Sequence, residues 1–431
     1  MTSEAPLVIE NREELVFLLS EASALEHMVM CEYLFAVFSL KSHTSEGVTP
    51  EQLAAINSWE RIITHVATEE MLHLALVSNL LSSVGAIPFF MHPNFPCTSK
   101  YYPAGIQLAL LPFGQHALQH FLYLERPEGI DLEDAPEFQV LAVSDSAPFA
   151  EIHQIVPHTQ NFMTVGHLYR SIEQGFRNLV EKYGEKQLFL NASGIQASQK
   201  HFGWPQLISV VDLESAMCAL ETIVEQGEGA SGDWRNAHYG KFVQIVQDYQ
   251  KFKTQDPTFE PARPVTAAFV HPTDNTDSNG IFITDSLTAG TSELFNASYE
   301  VMLQVLIRYF MHATETEEEQ KILSQVAMDM MFDVISPLGK LLTRLPIGLN
   351  LPGKTAGPSF EIYRTGYFLP QQRAAWVILH ERLLELAVYA KNLSAQSPVI
   401  GQDLLAVEEG LRKVAISMES YINSLALRKR A

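Results

Sequence analysis

Cysteine is scarce in this chain: Cys31, Cys97 and Cys218 are the only three among 431 residues. Far apart and odd in number, they suggest neither a disulfide framework nor a thiolate zinc site, and a reducing cytoplasm is the compartment expected. Positive charge is scarce too, with 29 Lys and Arg against 50 Asp and Glu and a formal charge of -21. Such a surface is a poor match for phosphate backbones or anionic lipid, so neither nucleic acid nor a membrane is an expected partner. No apolar run reaches the length of a membrane span, and the opening "MTSEAPLVIENREELV" has acidic residues where a secretion signal has basic ones.

What the chain does have is helical periodicity, and an all-α fold is expected. Leu15, Leu18, Leu19, Ala22, Leu25, Val29 and Tyr33 recur at helical spacing after Asn11, predicting a helix over 11–40. A second long run follows Pro50, from 51 to 84, and is stopped by Gly85 and Pro88. Residues 86–160 are Pro-rich and read as a structured excursion, with one short helix in "GQHALQHFLYLE". Helices are predicted over 163–183 and 211–226, and "HYGKFVQIVQDYQ" resumes the pattern after the break "QGEGASGD". Between them "KQLFLNASGIQ" is strand-like, a hairpin edge at most. The expected division is a metal-binding bundle over 11–250, a wrapped connection over 251–290, and a helical C-terminal domain over 291–428 built from segments at 291–313, 316–345, 371–392 and 400–425.

Inside the second helix stands "TEEMLH". Glu70 and His73 are three residues apart and therefore share a helix face, the Glu-x-x-His spacing with which carboxylate-bridged dimetal bundles hold iron or manganese. Ile62, Ile63, Val66, Leu72, Leu74 and Val77 surround the pair, so this segment is expected to be buried, and a buried carboxylate requires a cation. His65 reads as a partner for a neighbouring carboxylate. In the first helix Glu26 shares a face with Val29, Met30 and Tyr33, and is preferred as ligand over Glu32; pairing with a helix cation is its other reading. In the third helix the candidate is His167, with a core histidine bonded to backbone as the alternative, while Glu173 looks solvent-facing beside Arg170. Glu221, Glu225 and Glu228 form one acidic stripe at the end of the fourth, and the next imidazole, His238, lies beyond the glycine-rich break.

The pieces "LEH" and "CEYLFAVFSL", "ATEEMLHLALVSNLLSSVGAIP", "VGHLYRSIEQGF" and "VEQGEGASGDWRNAHYGKF" together resemble the ferritin-like domain family of the iminophenyl-pyruvate dimer synthase type, over roughly residues 11–250. The resemblance implies a ferritin-like four-helix bundle with metal between its helices, and it supports Glu26, Glu70, His73, Glu228 and His238 as the polar set. It is the resemblance, not the spacing, that favours Glu228 over Glu225. Where such relatives tend to carry Glu, this chain has His167, which implies a more nitrogen-rich site.

These readings lead to one functional expectation: a non-haem metal oxidase or oxygenase using one or two iron ions, or manganese, with dioxygen and a small organic, amino-acid-derived metabolite as partners. Metal storage and a non-catalytic scaffold are the alternatives. The C-terminal part, with His312, His380, Glu381 and Glu385, reads as structural or as an interface between copies of the chain, with Glu381 and Arg382 on a solvated face.

Overall fold

Asn11 opens the first helix through its side chain, which accepts a hydrogen bond from the Glu14 amide at 3.0 Å, and α1 runs Arg12–Ser39. Thr49 and Gln52 close a reciprocal cap around Pro50, and α2 runs Pro50–Ser83 before Gly85 turns the chain at φ +85°. The structure, a computed structural model, describes residues 7–97, 107–138, 162, 164–190, 196–229, 233–271, 280–311, 314–363 and 369–428. Parts of the predicted excursion (139–160), the expected helix start at Met163 and His312 lie outside them.

At 28 and 34 residues, α1 and α2 are about 42 and 51 Å long and pack against each other along their length. Among the described residues no other helix of this half is as long. The third side of the bundle is divided between α3 (Gln115–Leu124) and α4 (Val165–Tyr183). After the short turns α5 (Glu185–Leu188) and α6 (Gln199–Phe202), the fourth side is divided between α7 (Leu213–Gly227) and α8 (His238–Gln255). The pieces pair off, α3 against α8 and α4 against α7. Of the expected hairpin edge at "KQLFLNASGIQ", residues 191–195 lie outside the described ones; among the described residues Glu185–Leu188 is a helical turn, and only isolated bridges occur. Glu185 ties this turn down by accepting from the Leu213 amide at 2.9 Å, a bond that favours a cap over a ladder.

Arg263 carries the connection back onto the bundle, bonding Glu46, the Phe38 and Leu40 carbonyls and Thr343. Then follow α9 (Ser286–Met311), α10 (Glu317–Met330), α11 (Ser336–Leu342), α12 (Gln372–Ser394) and α13 (Gly401–Arg428). The single helix expected over 316–345 is interrupted by a π turn at Met331–Ile335. Pro337 explains it: the ring has no N–H to give and crowds the carbonyl of Asp333 one turn back, so the ladder widens there.

One hydrophobic cluster runs through both halves, from Leu15 and Leu76 through Phe38 to Leu338 and Trp376. As a result α1 is enclosed on all sides, and from Ala22 to Ser39 only Leu34 is not fully buried. Gly339 permits the closest approach between the halves, since a Cβ there would stand 2.5 Å from the Phe38 ring. Gly339→Ala is therefore expected to destabilise the chain by about 1–3 kcal/mol, read as a lower urea midpoint with unchanged slope.

Candidate metal centre

Both divided sides of the first bundle break at the same level, and chain ends meet there. Glu125 follows the last residue of α3, Glu228 the last of α7, and His238 opens α8. Facing them are Glu26 on α1 and Glu70 and His73 on α2. Glu26, Glu70, His73, Glu125 and His238 are all buried.

They form two triads that share one carboxylate. In Glu26, Glu70 and His73, and again in Glu70, Glu125 and His238, one ligand atom from each residue lies within 4.8 Å of the other two. Glu70 divides its oxygens between them. Oε2 is 2.8 Å from His73 Nδ1, and Oε1 is 2.9 Å from His238 Nδ1. Glu26 Oε2 completes the first triad at 3.5 Å from His73 Nδ1, and Glu125 Oε1 the second at 3.4 Å from His238 Nδ1. The two imidazoles lie nearly parallel, ring centroids 5.5 Å apart.

An outer ring of hydrogen bonds orients Glu26, His73, Glu125 and His238 around Glu70. His73 Nε2 is 2.9 Å from Gln226 Oε1, and His238 Nε2 is 3.2 Å from Glu69 Oε2, so each ring donates outward from Nε2 and turns Nδ1 to the centre, where it can ligate once its proton leaves. Glu69 is itself held by Lys241 at 2.5 Å, with His65 3.5 Å away on the exposed side. Tyr169 donates to Glu26 and Tyr33 donates to Glu125, one phenol for each triad.

The electrostatics explain why so many groups are needed. Burial, reinforced by the charge of Glu70, pushes Glu26 up to about 8, and burial likewise raises Glu125. Burial alone would raise Glu70 as well, but His238 and His73 hold it well below the ordinary carboxylate range. Against its own burial, His73 is drawn up to about 10 by Glu70 and Glu26. Glu69, partly buried, is brought down to about 2 by its bonds to His238 and Lys241. Without metal, protons must supply the positive charge, and they do so incompletely: His238 Nδ1 is buried with no hydrogen bond of acceptable geometry despite a carboxylate oxygen 2.9 Å away. Three carboxylates and two imidazole nitrogens aimed inward are a donor set that fits iron or manganese. A cavity of about 30 Å³ opens beside them, walled by Leu25, Val29, Leu124, Val165, Ile223 and Val224.

Of the residues expected from sequence, Glu26, Glu70, His73 and His238 are brought together. Glu228 lines the same cavity but belongs to neither triad. Its carboxylate accepts from the Gly166 amide at 2.9 Å and from Arg170 at 3.0 Å. A Cβ at Gly166 would lie 2.1 Å from Glu228 Oε1, so a larger residue there would displace the carboxylate from this position. His167 is outside the cavity lining, with Nδ1 3.4 Å from Glu128. Sequence reasoning missed Glu125, which sits in the excursion rather than in a predicted bundle helix. A signal was present: Leu118, Phe121 and Glu125 fall at i, i+3 and i+7, which puts a carboxylate on the apolar stripe of "QHALQHFLYLE". Position 235, where a second Glu-x-x-His would place its Glu, holds Arg, and the helix begins only at His238.

A helical bundle with inward carboxylates and paired imidazoles defines the ferritin-like class. The chain belongs to the Ferritin-like family, whose model matches residues 19–247. It is 29% identical over 423 residues to a dichlorochromopyrrolate synthase of Lentzea aerocolonigenes, covering 89% of this chain and 39% of that protein. It is 26% identical over 417 residues to a 2-imino-3-(indol-3-yl)propanoate dimerase of Chromobacterium violaceum, covering 89% of this chain and 37% of that protein. The chain thus spans under two fifths of the length of either relative. A ferritin-like protein from Caulobacter vibrioides superposes with a TM-score of 0.45 at 17% identity, over 74% of this chain and 96% of that one.

Two predictions follow from this geometry. Glu26 moves from an ordinary 4.5 to about 8 on folding, so the unfolded chain releases that proton first and stability falls as pH rises between those values. His73 moves from 6.5 to about 10, and the stability it contributes is complete below 6.5 and lost as pH rises through 10. Both windows descend, so metal-free protein should lose melting temperature from roughly pH 6 to 9, whereas metal affinity, which requires both protons to leave, should rise over that range. Thermal melts and metal titrations across the range check both signs. Separately, Glu69→Gln, which touches no inward-facing atom, is expected to weaken metal binding about 10- to 100-fold, measured by competition with a chelator of known affinity.

Proposed function

We propose that this chain is a non-haem dimetal oxidase or oxygenase, using iron and dioxygen on a small amino-acid-derived substrate. The observation that carries the reading is the sharing of Glu70: one carboxylate faces two separate imidazoles, and each imidazole has its own terminal carboxylate. Glu26 with His73 would hold one ion, Glu125 with His238 the other, and Glu70 both. Two iron ions so held would supply the electrons that dioxygen chemistry requires.

The chain's own groups support this in three ways. Tyr169 and Tyr33 hold protons on phenol oxygens in contact with the terminal carboxylates, within reach of any group that gains basicity at the centre. The wall of Leu, Val and Ile gives the cavity an apolar lining beside the carboxylates. That cavity, about 30 Å³, has room for a molecule the size of water or dioxygen. A substrate with an aromatic ring must therefore approach from its rim, where Glu228 and Arg170 pair between α7 and α4. The substrate class is inferred from the relatives, one of them named for an indole-bearing iminopropanoate.

Two iron ions per chain are expected in purified protein, with dioxygen consumption on addition of substrate. Glu70→Ala should lose both ions, and His238→Ala should lose one preferentially, each lowering oxygen uptake at least about 100-fold. Many ions per chain would indicate storage instead, and none in folded wild-type protein would leave only a scaffold.

A further inference from the structure

A second cluster of metal-binding side chains lies on the opposite side of α1 from the carboxylates, and the proposed oxidase chemistry makes no use of it. His27 and Cys31, one turn apart on α1, meet His92 from the segment after α2 and Tyr299 from α9, and all four are buried. One ligand atom from each of His27, Cys31 and His92 lies within 4.8 Å of the other two.

The hydrogen bonds in this cluster do not balance. His27 Nδ1 is 3.0 Å from the Phe90 carbonyl, and His92 Nδ1 is 2.7 Å from the Pro93 carbonyl. A carbonyl can only accept, so both ring protons are committed there, and both Nε2 atoms present lone pairs. Both face the same hydroxyl, Tyr299 Oη, at 2.6 Å from His27 and 2.9 Å from His92. A phenol has one proton and can satisfy one of them. Reversing either tautomer only moves the conflict to a carbonyl. Cys31 Sγ, 3.5 Å from the hydroxyl, can give its proton to Tyr299 Oη but reaches neither imidazole contact. The imidazole contacts are one positive centre short, in a region where an unmet lone pair is costly.

We infer that His27 Nε2, His92 Nε2 and Cys31 Sγ, with Tyr299 Oη beside them, form a second metal site, distinct from the carboxylate centre. Both histidines donate Nδ1–H to a backbone carbonyl, the arrangement that fixes metal-ligating imidazoles. One sulfur and two nitrogens favour zinc or copper(I), whereas the oxygen-rich centre favours iron or manganese. A metal ion binds the thiolate, so binding here would release the Cys31 proton to solvent. An ion here would fasten α1 to the segment that follows α2, beside Tyr299 of α9.

Cobalt(II) is a suitable probe, because only a thiolate ligand gives it a strong sulfur-to-metal charge-transfer band in the near ultraviolet. Full-length chain, stripped by chelator and titrated with cobalt(II), should develop that band with the intensity of one thiolate-bound ion per chain, in addition to any cobalt that the carboxylate centre takes up without it. Cys31→Ser should abolish it, and His92→Gln should weaken cobalt binding at this site at least about 10-fold. Glu70→Gln, Cys97→Ser and Cys218→Ser should leave it in place. Failure of the carboxylate centre would not affect this result, so the two readings are tested apart. Folded wild-type protein that shows no such band at saturating cobalt overturns the inference, as does a band that survives Cys31→Ser.

Discussion

The carboxylate of Glu70, held between two imidazoles in a dry interior, sets the terms for the rest of the first bundle. An isolated carboxylate cannot stay ionised there, and its two oxygens demand positive partners on opposite sides. His73 is supplied by the same helix, one turn on, at no topological cost. His238 must come from elsewhere, and the chain delivers it as the first residue of a helix, so that the divided fourth side of the bundle reaches the centre by an end rather than a face. Glu125 arrives the same way, just past the last residue of α3.

Helix ends are useful here because they carry unsatisfied backbone groups that can be turned to account. Gly166 lies in the first turn of α4, and its free amide is met by Glu228 from the end of α7. That bond joins the two helices across the break, places a carboxylate at the rim of the cavity, and occupies it with Arg170 as well. Glu228 is therefore explained by the closing of the bundle, without a share in either triad. Glu69 has a similar supporting part: its place next to Glu70 puts it on the outer side of His238, where Lys241 keeps it charged.

The second helical half changes what α1 can be. A helix in an ordinary bundle keeps a polar face for solvent, but α1 is packed on one side by its own bundle and on the other by α11 and by Tyr299 of α9, and so it has none over its second half. Its polar residues there cannot be solvated and must each find a partner inside. Glu26 has Tyr169 and His73; Glu32 accepts from the Ala109 amide at 2.6 Å with His120 at 3.5 Å; His27 and Cys31 meet Tyr299. One buried helix thus presents chemistry on several faces at once.

The sequence by itself determined what depends on near neighbours along the chain. Asn11, Thr49 and Pro50 mark where the long helices start, because a cap is satisfied within three residues, and Glu70 with His73 is legible because three residues is one helical turn. The all-α fold follows from the same local periodicity. The partnership of Glu125 with His238, the diversion of Glu228 to Gly166 and the placing of His167 against Glu128 were decided only by the tertiary structure. Each joins helix ends whose relative position is set by how α3, α4, α7 and α8 pack on α1 and α2, and packing of that kind leaves no repeat or spacing along the chain to read.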